Sequence, residues 1–475
     1  MNGGGATTSI NPATGEVLAS YEATGPEELD QVLDRAHTAA AKWRRTPPAE
    51  RASALNELAR SLRNDREELA LLATREMGKP IVESRAEVEK CAWTCEWFAE
   101  HGPAMIEPEE LRTEALQSYV AYVPLGVVFA IMPWNFPYWQ VVRALAPALA
   151  AGNVIVLKHA PSTTGCALRL AEAATNAGLA EGVFSVIVAD IAGTPEISAR
   201  VINDDRVAAV TLTGSSRAGR SVAAIAGGAL KKTVLELGGS DPFIVLADSD
   251  IEAAAFWAVR SRFQNTGQSC IATKRIILEE SIADPFIERF LWHVSQLRVG
   301  DPTDDAVTIG PLAREDLREL VERQVSESVE QGAHVLAGGK VLDRPGFYYE
   351  PTVLDRVPPR SPMMTEEVFG PAVPLERVAD AEESILLANR TRYGLGSNIW
   401  TSDLSHARDL AQRLDAGHTA VNWITTSDAR LPFGGVKDSG YGRELSSLGI
   451  REFLNAHTIV VNQPGGPDIR RPTIE

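Results

Sequence analysis

The sequence predicts an α/β protein with two domains built on parallel sheets, and three observations lead to this prediction. Five short apolar segments recur between residues 127 and 237, and stretches with helical periodicity separate them. The same alternation resumes after the glycine pair at residues 238–239. The chain has 475 residues, 44% hydrophobic and 23% charged, an ordinary globular composition with enough length for two or three domains. Strands that alternate with helices form βαβ crossovers and hence a parallel, doubly wound sheet.

The predicted elements begin with helices and continue as two strand–helix series. Apolar residues three and four positions apart predict antiparallel helices between residues 26 and 100. Valine and tyrosine then predict β-structure in residues 117–131. The strands of the first sheet are predicted at 127–131, 153–157, 183–188, 207–212 and 233–237, and those of the second at 242–246, 274–278, 396–400 and 419–421. A β-like stretch at 458–462 precedes a Pro/Gly-rich end, 464–475, which we interpret as a tail or a docking arm.

The charge and the cysteine content exclude several classes of protein. With 46 Lys and Arg against 63 Asp and Glu, the net charge is −17, so we expect neither nucleic-acid nor anionic-membrane binding, which require a basic surface. No apolar run reaches the ~20 residues of a membrane span, and residues 1–9 do not resemble a signal peptide. Four cysteines are too few for a disulfide framework, and zinc-type spacings are absent, so we expect a cytoplasmic protein without a metal.

Cys270 is the candidate nucleophile. It follows a polar, glycine-containing loop, residues 263–269, where helix-start amide dipoles or a nearby base would favour its thiolate. The alternative is a buried thiol that behaves as a small hydrophobic side chain. We predict that alternative for the other three cysteines, Cys91, Cys95 and Cys166.

Two polar residues at predicted strand ends are candidates for the remaining chemistry, because ligands of parallel sheets bind beyond the carboxyl ends of the strands. Asn135 lies in a Pro-Trp-Asn-Phe-Pro loop after the strand at 127–131, and its amide is suited to donate to an oxyanion. A helix-capping Asn is the alternative. Glu236 lies in the apolar strand end at 233–237, where partial burial would raise its pKa and suit a general base. A structural, salt-bridged Glu is the alternative.

Three further segments are candidates for binding a cofactor. Residues 211–219 combine a strand, a Gly/Ser turn and a helix start, whose N–H groups suit a pyrophosphate, although many helices begin in this way. Lys158, at a strand end, is suited to bind a ribose or a phosphate, unless it is a solvated surface lysine. Glu367 and Phe369 offer a carboxylate for ribose hydroxyls and a wall for a flat ring, and a simple turn is the alternative.

Six sequence motifs occur in one order along nearly the whole chain. They are Asn-Pro-Ala-Thr-Gly-Glu at 11–16, Pro-Trp-Asn-Phe-Pro at 133–137, Leu-Glu-Leu-Gly-Gly at 235–239, Phe-Gln-Asn-Thr-Gly-Gln-Ser-Cys at 263–270, Glu-Val-Phe-Gly-Pro at 367–371 and Leu-Pro-Phe-Gly-Gly-Val-Lys-Asp-Ser-Gly-Tyr-Gly-Arg-Glu at 431–444. Together they resemble the NAD(P)-dependent, non-acylating aldehyde dehydrogenases. Within that family, the segments at 158–160, 237–243, 442–446 and 449–453 are most similar to the succinate-semialdehyde dehydrogenases.

The resemblance implies a role for each catalytic candidate. Cys270 would attack the aldehyde carbon, and the Asn135 amide with the Cys270 backbone N–H would hold the oxyanion. Hydride transfer to a nicotinamide would leave a thioester, which water activated by Glu236 would hydrolyse to a carboxylic acid. The implied cofactor-binding residues are Trp134, Lys158, Ser162, Thr213, Gly214, Ser215, Leu237, Glu367 and Phe369.

The resemblance also bears on the substrate and on the choice of cofactor. Trp139 and Arg143 share one face of a predicted helix, and Arg143 with Ser427 match the pair that grips the substrate carboxylate in this subfamily. An ordinary ion pair is the alternative for Arg143. NAD-preferring members often carry a carboxylate where this chain has Pro161. We therefore expect NADP or NAD, with NADP favoured and Ser162 as a donor to the 2′-phosphate.

The resemblance implies three parts and a homodimer or homotetramer. The NAD(P)-binding domain would comprise residues 9–114 and 132–235, the catalytic domain 236–430, and a small β oligomerisation extension 115–131 and 452–475. The substrate would be an aldehyde with a distal carboxylate, either succinate semialdehyde or another ω-carboxy or pathway-specific aldehyde. A non-catalytic protein with this fold is a further alternative. So is a cysteine hydrolase, although none of the 8 histidines is identifiable as its partner.

Overall fold

The structure is a computed structural model that describes residues 5–466. Its strands are β1 (Ala6–Ile10), β2 (Val17–Glu22), β3 (Glu109–Glu110), β4 (Gln117–Pro124), β5 (Val127–Ile131), β6 (Val154–Lys158), β7 (Phe184–Ile187), β8 (Val207–Thr213), β9 (Lys232–Glu236), β10 (Asp241–Val245), β11 (Thr273–Glu279), β12 (His334–Ala337), β13 (Thr352–Asp355), β14 (Ala372–Val378), β15 (Gly396–Trp400), β16 (His418–Val421), β17 (Gly440–Tyr441) and β18 (Leu454–Val461). Its helices are α1 (Pro26–Trp43), α2 (Pro48–Asn64), α3 (Arg66–Met77), α4 (Ile81–Met105), α5 (Trp139–Ala151), α6 (Thr164–Asn176), α7 (Thr194–Asn203), α8 (Ser216–Gly228), α9 (Ile251–Phe263), α10 (Glu280–Ser295), α11 (Glu315–Glu330), α12 (Pro362–Thr365), α13 (Ala381–Asn389), α14 (Leu404–Gln412) and α15 (Ser446–Arg451).

A six-stranded sheet, in the order β17-β9-β8-β5-β6-β7, is parallel apart from β17. Every residue of β5 and β6 is buried, as expected of central parallel strands that helices cover on both faces. The five predicted strands of this series are present, with ends shifted by at most one residue. The pairing places Ile131 beside Lys158 and Thr213 beside Glu236, so four strands end along one edge of the sheet.

A seven-stranded sheet, in the order β12-β13-β14-β11-β10-β15-β16, forms the second layer. Its strands β10, β11, β15 and β16 lie where the sequence predicts them. The sequence analysis missed β12, β13 and β14. The strand β14 is paired on both sides although it contains Pro374, a residue that argues against a central strand, and most of β12 is exposed.

A three-stranded antiparallel sheet joins β18 to β4 and β3. It unites the two chain segments that the predicted extension contains, but its strand β4 ends at Pro124. The structure places Val127–Ile131 in the six-stranded sheet instead, because that run is wholly apolar and pairs with β6 and β8. The other predicted domain boundaries stay a prediction. Residues 467–475 of the predicted tail lie outside the described residues.

The helices α1 to α4 follow the predicted helical region and pack on the six-stranded sheet through one hydrophobic cluster. The helix α1 begins at Pro26 with two acidic residues in its first turn and carries Lys42 in its last, as the helix dipole favours. The helix α5 ends at Gly152, whose φ of 97° lies in the left-handed region that glycine tolerates. Among the helices of residues 5–466, none combines the length and the apolar character needed to cross a membrane.

Candidate active site

A cavity of about 380 Å³ adjoins Cys270. Its walls come from α4, from α5, from the loop before β11 and from the segment after β16. These elements contribute Lys90, Trp139, Arg143 and Ser427. The structure thus brings the predicted nucleophile and the three predicted substrate-binding residues to one cavity.

The loop before Cys270 has a strained backbone that buried hydrogen bonds hold in place. Asn265 and Thr266 have φ of 52° and 56°, in the left-handed region that costs non-glycine residues about 1–3 kcal/mol each. The Asn265 N–H donates to the Glu83 carboxylate at 2.7 Å, and the Gly310 N–H donates to the Thr266 hydroxyl at 3.1 Å. Burial raises the pKa of Glu83 to about 7. The position of the thiol therefore depends on α4, which carries Glu83.

The Cys270 thiol is partly exposed at the cavity wall, whereas the other three cysteines are fully buried. Desolvation raises the pKa of Cys270 to about 11, although the positive charges of Arg143 and Lys274 lower it. The Lys274 ammonium donates to the carbonyl oxygens of Ser269 at 2.7 Å and Cys270 at 2.5 Å. Burial therefore favours the neutral thiol over the thiolate in the free protein.

The Asn135 side chain is buried against the same loop. Its Nδ2 donates to the Gln268 backbone carbonyl at 3.1 Å, and the Asn135 backbone carbonyl accepts from Asn265 Nδ2 at 2.8 Å. Because the amide nitrogen carries two N–H groups, one remains for a ligand. Asn135 does not cap α5, since the first N–H groups of that helix donate to the Glu87 carboxylate.

Glu236 is the last residue of β9 and is 2% exposed. Neither carboxylate oxygen has a hydrogen-bond partner among the described residues. Desolvation raises the pKa of Glu236 well above its usual range, and the nearby charge of Glu444 acts in the same direction. Arg143 lowers it but is itself ion-paired with Glu444. A buried carboxyl group without partners is arranged to exchange protons rather than to stabilise the fold.

The strand end that carries Glu236 packs directly on the Cys270 loop. A Cβ at Gly239 would lie 2.5 Å from the Cys270 carbonyl oxygen, so this approach requires glycine. The Gly239 N–H donates to Glu367 Oε1 at 2.9 Å, and that oxygen lies 3.8 Å from Lys274 Nζ. Glu367 therefore links the β9 end to the Cys270 loop.

The predicted cofactor-binding residues surround the ends of the parallel strands. Lys158 is 4% exposed, and burial lowers the pKa of its ammonium to about 8. It is not the solvated surface lysine that was the alternative. Ser162 lies in the short 3-10 helix after β6, and the Ser215 hydroxyl accepts the Ala218 N–H at the start of α8. Trp134 and Phe369 meet edge to face with ring centres 5.7 Å apart.

The turn between β8 and α8 holds the remaining predicted cofactor residues against β9. The Gly214 N–H donates to the Glu236 carbonyl at 2.9 Å, and Leu237 packs over Gly219 of α8. The Thr213 hydroxyl accepts from Arg143 Nη2 at 3.1 Å and thus faces α5. The roles of these residues stay predictions.

The substrate side of the cavity contains residues that the sequence analysis missed. Trp139 Nε1 donates to the Ser427 hydroxyl at 3.1 Å, and Lys90 Nζ donates to the same oxygen at 2.8 Å. Arg143 is 1% exposed and pairs with Glu444, which is the ion pair that the sequence analysis gives as its alternative role. No sequence pattern pointed to Lys90, because it lies 337 positions from Ser427.

Comparisons with known proteins bear on the family of the chain. The aldehyde dehydrogenase family model matches residues 2–459. The chain is 48% identical over 451 residues to succinate semialdehyde dehydrogenase (NAD(P)+) Sad of Escherichia coli strain K12, covering 95% of this chain and 97% of that protein. It is 46% identical over 454 residues to a probable succinate-semialdehyde dehydrogenase (NADP(+)) of a Synechocystis species, covering 96% and 99%.

Solved structures show the same fold. Succinic semialdehyde dehydrogenase from Streptococcus pyogenes, in complex with NADP+, superposes with a TM-score of 0.93 at 36% identity, covering 96% of this chain and 100% of that one. Succinate-semialdehyde dehydrogenase from Burkholderia pseudomallei also gives 0.93, at 37% identity, covering 97% and 95%. The predicted fold and the predicted family are confirmed. The chain therefore belongs to the aldehyde dehydrogenase family and is an aldehyde dehydrogenase.

Proposed function

We propose that this enzyme oxidises succinate semialdehyde to succinate, with NADP or NAD as the electron acceptor and NADP favoured. The observation that carries the proposal is the single cavity that joins Cys270 to the polar wall of Trp139, Arg143 and Ser427. Such a cavity suits an aldehyde at one end and a carboxylate at the other. The E. coli and Synechocystis relatives named above support this choice of substrate.

The first step uses Cys270 and Asn135. The thiol first releases its proton to water in the cavity. The thiolate sulfur then bonds to the aldehyde carbon, and the electron pair of the C=O π bond moves onto the carbonyl oxygen as a negative charge. The free N–H of Asn135 and the backbone N–H of Cys270 are the donors for that oxyanion, and preorganised donors of this kind are worth about 3–4 kcal/mol of barrier each. When bound, the nicotinamide cofactor supplies the hydride acceptor that turns the thiohemiacetal into a thioester.

The second step uses Glu236. Its two oxygens are buried and have no hydrogen-bond partner among the described residues, and its raised pKa makes the ionised carboxylate a stronger base than an ordinary Glu. In that ionised form it accepts a proton from water. The water oxygen bonds to the thioester carbon, the C–S bond breaks, and Cys270 leaves as a thiolate while the carboxylic acid is released. The contact between Gly239 and the Cys270 carbonyl keeps the Glu236 strand end next to that thioester.

The residues at the strand ends fit a dinucleotide. Lys158 is a buried cation without a carboxylate partner among the described residues, and Ser215 begins α8 with N–H groups that suit a phosphate. Glu367 supplies a carboxylate for ribose hydroxyls, and Phe369 a flat wall. Pro161 places no negative charge near a 2′-phosphate, which favours NADP, as does the NADP+ in the S. pyogenes structure.

Arg143 remains suited to the substrate carboxylate although Glu444 is its partner. Its guanidinium has five N–H groups, of which Nε faces Glu444 and one Nη2 N–H donates to Thr213. The remaining donors and the Ser427 hydroxyl are available to a carboxylate.

An aldehyde panel with both cofactors tests the proposal. Initial rates with NADP and NAD are measured for succinate semialdehyde, glutarate semialdehyde and butanal. We expect kcat/KM for succinate semialdehyde to exceed that for butanal by about 100-fold, because two charge-assisted contacts are added. The Arg143→Ala variant should raise KM for succinate semialdehyde far more than for butanal. A higher kcat/KM for glutarate semialdehyde, or equal values for all three, would overturn the substrate assignment, and a tenfold preference for NAD would overturn the cofactor assignment.

The proposal includes a homodimer or homotetramer in a reducing cytoplasm. The strand β18 is largely exposed along its length and, among residues 5–466, pairs on one side only, with β4, so its other edge is suited to pair with a second subunit. A catalytic thiol at a cavity wall also needs reducing conditions to stay active. Light scattering of the purified enzyme should give two or four times the 51.2 kDa of the chain, and a monomer would contradict this part.

A further inference from the structure

Lys90 is a positive charge of the cavity that the proposed mechanism does not use. It lies on α4, and its Nζ is 4.0 Å from the centre of the Trp139 ring and 2.8 Å from the Ser427 hydroxyl. Within the described part of the chain, no carboxylate forms an ion pair with it. Burial lowers the pKa of the Lys90 ammonium to about 8, which shows how little its surroundings compensate the charge.

The neighbouring cations differ from Lys90 in this respect. Arg143 is ion-paired with Glu444. Lys79, which lies just before the start of α4, is ion-paired with Glu87. Both of those pairs are almost fully buried. Of these three cations, only Lys90 lacks an ion-pair partner among the described residues, and an anion that enters the cavity can supply one.

Lys90 also determines how Ser427 can hydrogen-bond. The Ser427 oxygen accepts from Lys90 Nζ and from Trp139 Nε1, and these two bonds occupy both of its lone pairs. The hydroxyl hydrogen has no acceptor among the residues that the structure describes. Ser427 is thus held as a donor, and the cavity offers a donor hydroxyl beside an unpaired ammonium.

We propose that Lys90 binds the carboxylate end of the substrate, fixes Ser427 as a donor to the same carboxylate, and thereby sets the preference for acidic aldehydes. This inference rests on the proposed function of the cavity. The ammonium supplies the charge, Ser427 supplies a directed hydrogen bond, and Arg143 supplies a second cation from the opposite helix. An uncharged aldehyde gains none of these contacts.

The test compares Lys90→Met with Lys90→Arg and with the matched surface control Lys42→Met. Lys42 lies exposed on α1, away from the cavity. For each variant, KM is measured for succinate semialdehyde and for butanal, and succinate binding is measured by calorimetry. We expect Lys90→Met to raise the ratio of KM for succinate semialdehyde to KM for butanal about 10- to 100-fold, because a charged hydrogen bond is lost. Succinate binding should weaken by a comparable factor. In Lys90→Arg the ratio should stay close to the wild-type value, and in Lys42→Met it should be unchanged.

A second comparison tests the coupling to Ser427. In the double variant Lys90→Met with Ser427→Ala, the rise in the ratio should be smaller than the product of the two single rises, since both residues serve one carboxylate. If the rise in the double variant equals the product of the two single rises, Lys90 and Ser427 do not serve the same carboxylate. If Lys90→Met lowers the thermal midpoint by more than a few degrees, Lys90→Gln replaces it in the same comparison.

The outcomes separate this inference from the proposed function. A wild-type enzyme that does not prefer succinate semialdehyde to butanal overturns the proposed function itself. A wild-type enzyme with the preference, combined with a Lys90→Met variant in which both aldehydes change alike, overturns only the role of Lys90.

Discussion

Glu87 on α4 and Glu236 at the end of β9 are 4% and 2% exposed, yet their surroundings differ. Glu87 Oε1 accepts the N–H groups of Tyr138 and Trp139 at 2.8 and 2.9 Å, and its other oxygen pairs with Lys79. Glu236 has no hydrogen-bond partner among the described residues. A buried carboxylate with all its partners fixes structure, in this case the start of α5, whereas one without partners is available for chemistry.

The same contrast separates Lys79 from Lys90. The first is fully buried with Glu87 and serves the fold, and the second lies at the cavity wall without a carboxylate partner among the described residues. In both comparisons, the charge that we propose to be functional is the one without an ion-pair partner or a full set of hydrogen bonds. The following substitutions test that distinction, from the largest expected effect to the smallest.

Removal of the Glu236 charge should abolish turnover without harming the fold. For Glu236→Gln we expect kcat to fall about 100- to 10,000-fold, the range of a lost general base. Because the folded-state pKa of Glu236 is raised, the charged form costs stability as pH rises, so the neutral amide should leave the thermal midpoint at pH 8 equal or higher. Stopped-flow measurement should still show a burst of reduced cofactor. A Glu236→Gln variant with a lower thermal midpoint and a wild-type kcat would contradict the proposed role of Glu236 as a general base.

The equivalent change at Glu87 should have the opposite signature. Glu87→Gln leaves the buried Lys79 ammonium unpaired, and we expect the free energy of unfolding to fall by about 3–5 kcal/mol. Urea denaturation followed by tryptophan fluorescence measures the loss. Glu100→Gln, at an exposed position of the same helix, is the control and should change stability little. Equal stabilities of the two variants would show that the Glu87 contacts do not anchor α5.

The stability and the kcat of the enzyme should both be sensitive to a Cβ at Gly239, which lies between the proposed catalytic residues Glu236 and Cys270. Gly239→Ala places a Cβ 2.5 Å from the Cys270 carbonyl, and we expect a loss of about 1–3 kcal/mol in stability together with reduced kcat. At Gly227, near the end of α8, a Cβ would meet nothing within 4 Å, so Gly227→Ala is the matched control. Thermal unfolding and initial rates compare them. A normal kcat in Gly239→Ala would mean that the β9 end need not touch the Cys270 loop.

The smallest expected effect is on pH dependence. The free-enzyme pKa of Lys90 is about 8, so the charge that attracts the carboxylate is present below that pH and is lost above it. Glu87 and Cys91 on its own helix, Arg143 on α5 and Asp428 after β16 are the charged or titratable groups that influence Lys90. We expect the ratio of kcat/KM for succinate semialdehyde to that for butanal to fall about tenfold between pH 7 and 10. The ratio cancels the titration of Cys270, and a flat ratio would contradict the charge of Lys90 as the determinant.

Local sequence signals explain which site residues could be predicted from the sequence. The sequence identifies Asn135 because it lies after a buried parallel strand, Glu236 because it lies at the end of one, and Cys270 because it follows a polar glycine loop. These signals are local. The strand order and the placement of Val127–Ile131 in the six-stranded sheet depend on pairing between distant segments, which a linear pattern does not contain.

The residues that the sequence analysis missed share one property. Lys90 acquires its role from Ser427, Glu83 from Asn265 and Glu87 from the start of α5, across 337, 182 and 51 positions. Each is an ordinary charged residue on a helix until its partner is known. Arg143 shows the same difficulty, since its pairing with Glu444 depends on a contact between α5 and the segment before α15.

The left-handed backbone of Asn265 and Thr266 has a consequence for how the enzyme loses activity. Hydrogen bonds to Glu83, Gly310 and Asn135 hold their strained conformation. We expect mild heating that loosens α4 from this loop to release the strain and displace the thiol while the two large sheets keep their pairing. Inactivation should therefore be a local melting of the loop, and a preparation that has lost its turnover can still carry nearly all of its native secondary structure.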